Sequence, residues 1–89
     1  MRVTQTTQFR KDLKVQKKRG KDLQKVKDLI ALLLSEEPLP VRNRDHALTG
    51  NWSGWRDCHL EPDGLLIYKR SSDELTLGRT GAGGGVNVG

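Results

Sequence analysis

The sequence predicts an α+β domain in which an N-terminal strand and a helical hairpin pack on one face of an antiparallel sheet, in the order β-α-α-β-β-β. Apolar residues recur at helical spacing in the first part of the chain, and the period changes to two from Trp55 onward. Clusters of turn-forming residues separate the later segments. A chain of 89 residues has room for one such domain. The sheet face that the helices leave uncovered is free to carry polar chemistry.

The N-terminal segment predicts a strand followed by a helix. Residues 3–7 are β-prone, and Thr6 or Thr7 is placed to cap the helix, because a threonine hydroxyl accepts a free N–H of the first turn. Gly20 is a natural end for this helix. One face of the helix carries Phe9, Leu13 and Gln16, and cations occupy most of the rest.

A second helix is the clearest element of the sequence. It is predicted to begin near Lys21 and to end at Ser35, because Pro38 and Pro40 prevent continuation. Its apolar stripe consists of Leu23, Val26, Leu29, Ile30, Leu33 and Leu34. Residues 35–53 then show neither helical nor strand periodicity, and long ordered loops in small domains tend to be functional.

Strand periodicity dominates the second half of the chain. Alternation places Arg56, Cys58 and Leu60 on one face and Trp55, Asp57, His59 and Glu61 on the other. Residues 65–68 are apolar on both faces, as in a central strand, and Glu74 begins a last strand that runs toward Arg79. Cys58 is predicted to be a buried small hydrophobe. The glycine-rich residues 82–89 are predicted to be a flexible tail.

Charge and composition exclude several classes of protein. Residues 1–44 carry 12 Lys/Arg and 5 Asp/Glu, a balance of +7, whereas residues 45–89 carry 4 and 6, a balance of −2. The basic half predicts a polyanion-binding face, and the alternative is a solvated helix surface. The longest apolar run, residues 29–34, is far shorter than a membrane span of about 20 residues, and no signal-peptide pattern is visible. A single cysteine excludes a disulfide framework.

Ionisable residues that suit acid–base chemistry on a phosphodiester gather in the second half of the chain. They are Asp45, His46, Asp57, His59, Glu61 and Asp63, with Arg56 and Arg79 nearby. Histidines transfer protons near neutral pH, and an arginine stabilises the charge of a phosphorane. Two alternatives are a plain surface His–Asp pair and a metal site made by Asp57, His59 and Asp63. Trp52 and Trp55 either stack on bases or anchor the long loop.

Four ordered motifs resemble a known family. They are D-H-x-L-x-G-x-W at 45–52, W-R-D-x-H-x-E-P-D at 55–63, L-I-Y at 66–68 and R-T-G at 79–81. This order is similar to that of the YafQ branch of the RelE/ParE toxin superfamily, and the preceding basic hairpin also fits. The resemblance covers residues 1–81, which it marks as a RelE-like toxin domain followed by the tail at 82–89.

The resemblance implies a toxin of a bacterial type II toxin–antitoxin system. Such toxins are cytoplasmic, use no cofactor and cut mRNA in the A site of the 70S ribosome. The cut is metal-independent: the ribose 2′-OH attacks the adjacent phosphate and a cyclic phosphate remains. The implied partners are a cognate antitoxin, the ribosome and mRNA, with operator DNA reached only through the antitoxin complex and no membrane involved.

The resemblance also assigns roles to residues. The implied catalytic residues are His46 as an acid–base group, Asp57 and His59 as a strand pair, Asp63 as the carboxylate of the turn, and Arg79 as a phosphate contact. The implied RNA-gripping cations are Arg10, Lys11, Lys14, Lys17, Lys18, Arg19, Lys21 and Lys25. No metal ligand is implied.

Four positions depart from the family pattern. Ala47 stands where the family usually has proline, and Gly64 where it has an aromatic residue. Gly83 aligns with a catalytic histidine and Asn87 with a phenylalanine. The loss of the histidine predicts an attenuated or inactive enzyme, because such a group is typically worth about 10² to 10⁴ in rate. The alternatives are a non-catalytic module that binds an antitoxin or ribosomal RNA, and a metal-dependent nuclease.

Overall fold

A computed structural model describes residues 1–35, 37–60 and 64–82, and these form two helices and a five-stranded sheet of order β1-β5-β4-β3-β2. The elements are β1 (Arg2–Gln5), α1 (Thr7–Lys18), α2 (Gln24–Leu34), β2 (His46–Ala47), β3 (Arg56–Leu60), β4 (Gly64–Arg70) and β5 (Glu74–Ala82). This confirms the predicted α+β class. Two details differ from the prediction. The sheet is antiparallel except for β1, which pairs parallel with β5, and β2 is an additional short strand.

The main core lies between the helices and one face of the sheet. Its buried members are Phe9, Val26, Leu29, Leu33, Cys58, Leu66, Tyr68, Leu75 and Leu77. The alternation along β3 is confirmed, because Cys58 is buried in this core and Leu60 packs against it. The helices therefore occupy the face opposite to Asp57 and His59, as the sequence predicts.

Thr6 caps α1 and also ties it to the last strand. Its hydroxyl accepts a hydrogen bond from Phe9 N at 3.0 Å and donates one to Gly78 O at 2.9 Å. The first strand is shorter than the predicted 3–7 because the chain leaves the sheet at this cap. Gly20, at φ 73°, turns the chain after α1 in a backbone conformation that favours glycine.

Helix α2 begins three residues later than predicted. It starts at Gln24 rather than near Lys21, because the Asp22 carboxylate accepts Gln24 N–H at 2.9 Å and holds the preceding residues in a turn. The buried stripe is also narrower than the sequence suggests, since Leu34 is 37% exposed. Neither helix of the described residues is long and apolar enough to cross a membrane.

The unpatterned segment 35–53 contains short ordered elements that its sequence does not signal. Residues Val41–Asn43 and Gly50–Trp52 form 3-10 turns, and β2 lies between them. Asn43 is buried and its side-chain amide donates to His59 O at 2.7 Å, which fixes the first turn beside β3. Residues 41–53 therefore form an ordered strap along the edge and over part of the face of the sheet that bears the histidines.

A second, smaller apolar cluster lies under this strap. Leu65 and Ile67 of β4 are buried, and Leu48, Trp52 and Trp55 pack against them. The two indole rings meet edge to face with centroids 5.6 Å apart. Trp55 also lies against Gly78, where an added Cβ would stand 2.6 Å from an indole carbon. These contacts favour the anchoring interpretation of both tryptophans over base stacking.

Candidate active site

The sheet register places three of the candidate catalytic residues, His46, Asp57 and Arg79, in one row across four strands. His46 pairs with Asp57, Asp57 pairs with Ile67, and Ile67 pairs with Arg79. Directly paired residues project from the same face of a sheet. The row therefore has His46 and Asp57 at one end and Arg79 at the other, two strand spacings or about 10 Å from β3.

His46, Asp57 and His59 form a compact cluster at one end of this row, on the face away from the helices. The Nε2 atom of His46 lies 3.6 Å from Asp57 Oδ2, and the Nε2 atom of His59 lies 3.8 Å from the same oxygen. The imidazole rings are stacked, with centroids 6.1 Å apart. Both histidine side chains are about half exposed, so both rings are accessible from solvent.

Asp57 is buried beneath the two histidines. Only 7% of its side chain is exposed, and Oδ1 has no hydrogen-bond partner among the described residues. Burial raises the pKa of this carboxyl, and the two neighbouring histidines oppose the rise. A carboxylate this poorly solvated interacts strongly with any positive charge that develops on either imidazole.

Backbone contacts fix the orientation of His46. Its Nδ1 lies 2.7 Å from Arg44 O, and because a carbonyl oxygen only accepts, Nδ1 must carry the hydrogen. In the neutral ring Nε2 then has the lone pair, and it faces Asp57. The non-glycine residue Arg44 is left-handed, at φ 48°, which turns the chain into β2.

Asp45 and Arg56 do not join the histidine cluster, contrary to the grouping expected from the sequence. Asp45 Oδ1 accepts from Arg56 Nε at 3.1 Å and from the hydroxyl of Tyr68 at 2.7 Å. Tyr68 belongs to the helix-side core, so this pair lies on the opposite face from Asp57. Burial raises the pKa of the Tyr68 phenol, which stays protonated and donates. The three groups anchor the strap just before His46.

Arg79 is held by an acidic residue that the sequence analysis did not select. Its Nε and Nη2 atoms donate to Asp12 of α1 at 2.9 and 3.3 Å, and its side chain is 23% exposed. Asp12 stands one position before Leu13, on the face predicted to be apolar, and could have been noticed as the only acidic residue of that helix.

The same cluster has the geometry of a possible metal site. One ligand atom each from His46, Asp57 and His59 lie within 4.8 Å of one another. Imidazole nitrogens and a carboxylate oxygen suit a transition-metal ion. The set differs from the predicted one, because His46 takes part and Asp63 lies outside the described residues.

Cys58 cannot serve as a nucleophile in this arrangement. It is fully buried on the helix side of β3, and burial raises its thiol pKa to about 12. A thiol in this state carries almost no thiolate at neutral pH. The prediction of a buried, unreactive cysteine is confirmed.

The remaining predicted residues fall into two groups. Glu61, Asp63, Gly83 and Asn87 lie outside the described residues, as does most of the predicted tail; Ala82 belongs to β5. The predicted RNA-gripping cations are all exposed, and they are Arg10, Lys11, Lys14, Lys17, Lys18, Arg19, Lys21 and Lys25. They therefore form a basic helical surface, and Arg10, Lys11 and Lys14 surround Asp12 in the sequence of α1.

Comparison with known proteins identifies similar chains. The model of the family described as "Bacterial toxin of type II toxin-antitoxin system, YafQ" matches residues 1–84. The mRNA interferase toxin YafQ of Escherichia coli K12 is 48% identical over 75 residues, which are 83% of this chain and 82% of that protein.

Two solved structures are similar over nearly their full length. The E. coli DinJ–YafQ toxin–antitoxin complex contains a chain of 42% identity with a TM-score of 0.85, and the match covers 94% of this chain and 93% of that one. A metal-bound toxin from Helicobacter pylori is 34% identical with a TM-score of 0.86, and the match covers 98% and 99%.

Proposed function

The chain belongs to the YafQ family of bacterial type II toxin–antitoxin toxins, and we propose that it is an mRNA interferase that cuts mRNA on the ribosome without a metal ion. The observation that carries the proposal is the convergence of two imidazole Nε2 atoms on one buried carboxylate oxygen. Cleavage of a ribose phosphodiester needs one group that takes a proton and one that gives a proton. The histidine pair offers both.

In the proposed mechanism His46 is the general base. Its Nδ1 hydrogen is committed to the Arg44 carbonyl, so Nε2 carries the lone pair that would take the proton of the ribose 2′-OH. The 2′-oxygen then attacks the adjacent phosphorus and the bond to the 5′-oxygen breaks. A cyclic phosphate and a free 5′-hydroxyl result.

His59 is the proposed proton donor to the departing 5′-oxygen. Its Nε2 lies 3.8 Å from Asp57 Oδ2, so the buried carboxylate stands beside the nitrogen that would give the proton. Arg79, at the far end of the row, stabilises the charge that builds on the phosphorane oxygens. Asp63, which lies outside the described residues, is proposed to contribute a second carboxylate to the site.

We propose that this chain is slower than relatives with a histidine where Gly83 stands. A glycine has no group that transfers a proton, so His59 must act as the acid from a less favourable position. A missing general acid typically lowers a rate by about 10² to 10⁴.

A metal ion bound by the histidine cluster is proposed to inhibit this protein, whereas a metalloenzyme requires its metal ion for activity. A transition-metal ion on His46 and His59 would occupy the nitrogens that the mechanism uses for proton transfer. Cleavage is therefore proposed to survive EDTA and to be inhibited by added Zn²⁺ or Cu²⁺. If EDTA abolished cleavage and a divalent ion restored it, the chain would be a metal-dependent nuclease instead.

The proposed partners follow from the relatives and from charge. An antitoxin is the first, since a YafQ of E. coli forms a complex with DinJ, and operator DNA is reached only through such a complex. The basic helical surface is proposed to bind ribosomal RNA, in the bacterial cytoplasm. No membrane contact and no cofactor are proposed.

The test is cleavage of mRNA on purified 70S ribosomes by the whole chain. We expect cuts in ribosome-bound mRNA, none in free mRNA, and loss of cutting in His46→Ala. Normal ribosome binding without cleavage at any protein concentration would favour a non-catalytic module. Absence of both binding and cleavage, also after Gly83→His, would overturn the proposed function.

A further inference from the structure

We propose that Asp12 is a positioning residue for Arg79: its buried carboxylate holds one edge of the guanidinium so that the adjoining edge faces the RNA phosphate. The inference rests on the proposed function, because that function gives Arg79 its phosphate contact. It assigns to Asp12 of α1, the helix that carries most of the proposed RNA-binding cations, a role in holding a proposed catalytic residue.

Asp12 is unusual for its place in the chain. It is the only acidic residue of α1, a helix that carries five lysines and arginines, yet only 8% of it is exposed. Aspartates are rarely buried unless they are paired. An exposed carboxylate would be the ordinary way to balance a basic helix, so the burial of this one indicates a specific partner.

Three of the four hydrogen bonds to Asp12 come from β5, the strand at the Arg79 end of the row. Oδ2 accepts from Arg79 Nε at 2.9 Å and from Thr80 N at 3.1 Å, and Oδ1 accepts from Arg79 Nη2 at 3.3 Å. Gln8, one turn earlier, donates to Oδ1 at 3.1 Å. The Thr80 amide needs this acceptor because the pairing of β1 with β5 ends at Leu77.

The hydrogen bonds to Asp12 use only one edge of the Arg79 guanidinium. A guanidinium has five N–H donors in a planar fork, with a side edge at Nε and Nη2 and an end edge at Nη1 and Nη2. Asp12 engages the side edge. The end edge points away from that carboxylate and can take a second oxyanion in a bidentate manner.

The restraint matters because an unrestrained arginine is a flexible side chain. In the proposed mechanism Arg79 contacts a phosphate that lies between it and the histidines. Strand β3, which carries His59, is about 10 Å from β5 across the sheet. A misplacement of about 1 Å can lower a rate about 10²-fold. Asp12 therefore acts through Arg79 and does not itself contact the substrate.

The first test follows the Arg79 side chain directly in the free protein. In wild-type protein the Arg79 Nε–H should give a distinct NMR signal that exchanges slowly with water, because it is bonded to a buried carboxylate. The signal should exchange faster in Asp12→Asn and stay unchanged in Asp28→Asn, which makes the same change in net charge. An unchanged signal in Asp12→Asn would overturn the proposal.

The second test is a double-mutant cycle on cleavage of ribosome-bound mRNA. We expect Asp12→Asn to lower kcat about 10- to 100-fold, with the KM for programmed ribosomes within about twofold of wild type. Arg79→Ala should lower kcat about 10²- to 10³-fold. Adding Asp12→Asn to Arg79→Ala should cause no further loss, because the positioned group is already absent.

Three outcomes would count against the positioning role. They are wild-type kcat in Asp12→Asn, an undiminished further loss in the Arg79→Ala background, and a loss that disappears when the assay is cooled well below the melting temperature of the variant. If wild-type protein does not cleave at all, the proposed function fails, and the NMR measurement decides the Asp12–Arg79 relation by itself.

Discussion

The imidazole rings of His46 and His59 are stacked with their centroids 6.1 Å apart, and their planes differ by 29°. One ring comes from a two-residue edge strand and the other from the neighbouring strand β3. Both direct Nε2 toward Asp57. The proposed mechanism makes one ring the base and the other the acid, and this division of roles can be tested chemically.

Replacing either histidine by alanine should lower the rate of mRNA cleavage by about 10² to 10⁴. The two losses should respond differently to a substrate whose 5′-oxygen leaving atom is replaced by sulfur, because a thiolate departs without protonation. His59→Ala should recover on this substrate and His46→Ala should not. Equal recovery of both variants, measured by single-turnover cleavage on ribosomes, would contradict the assignment.

Asp57→Asn should make the protein more stable at neutral pH while it lowers activity. The folded-state pKa of Asp57 is raised, so ionisation is less favourable in the folded chain than in the unfolded one. Stability is therefore lost as pH rises from the ordinary aspartate pKa to the raised one, and the loss persists above it. The asparagine variant escapes this loss.

The measurement is urea unfolding of both proteins between about pH 3.5 and pH 7.5. We expect Asp57→Asn to gain about 1 kcal/mol over wild type at the upper end and almost nothing at the lower end. Asp73→Asn, on an exposed turn, is the matched control. A variant that is less stable than wild type at neutral pH would contradict the prediction.

Gly83→His should raise the rate of cleavage about 10²-fold or more, since it adds a proton donor at the position that the family resemblance aligns with a catalytic histidine. Gly85→His adds the same side chain two residues further along and should leave the rate near that of wild type. Equal rates for wild type and Gly83→His, with ribosome binding intact, would show that the acid is supplied elsewhere.

Gly78→Ala should destabilise the fold by about 1 to 3 kcal/mol, because the new methyl group would overlap the indole of Trp55. The Trp55→Phe background removes the indole carbons involved, so the same substitution should be less damaging there. Thermal unfolding of the four proteins measures this coupling. An equal loss in both backgrounds would place the strain in the β5 backbone rather than in the Trp55 contact.

Replacing Lys14, Lys17 and Lys18 together by glutamine should weaken ribosome binding at low salt. The slope of log K against log salt should fall by about 2, because each phosphate contact contributes about 0.7 to 0.9. Lys69→Gln, on the strand beneath Trp55, is a control for charge alone. A triple variant with unchanged affinity and slope would remove the basic helical surface from the interface.

The sequence predicts those parts of the fold whose signals are local. Helix α2 and strand β3 follow from periodicity, and the pair Asp57 and His59 shares a face because alternate residues of a strand must. A threonine cap at residue 6 or 7 follows from hydroxyl chemistry, and the structure shows that it is Thr6. These features depend on residues a few positions apart.

The features that the sequence does not reveal depend on distant partners. Asp12 interrupts an apolar face, and nothing near it in the sequence indicates that Arg79, 67 positions later, will donate hydrogen bonds to it. Asp45 stands next to His46 in the sequence and is grouped with it in the predicted site. Its side chain instead lies on the other face of the sheet, where it accepts a hydrogen bond from Tyr68. Strand β2 is too short to show a period.

The parallel ladder between β1 and β5 has a consequence for biosynthesis. Residues 2–5 of β1 pair only with residues 74–77 of β5 in this ladder. Strand β1 therefore cannot pair until β5 has been synthesised. Contacts this distant in sequence close late and slow the folding of a small domain. Arg79 meets Asp12 in the same closing step. A nascent chain therefore carries both histidines before Arg79 reaches Asp12, and the proposed phosphate contact is positioned only after β5 has been made.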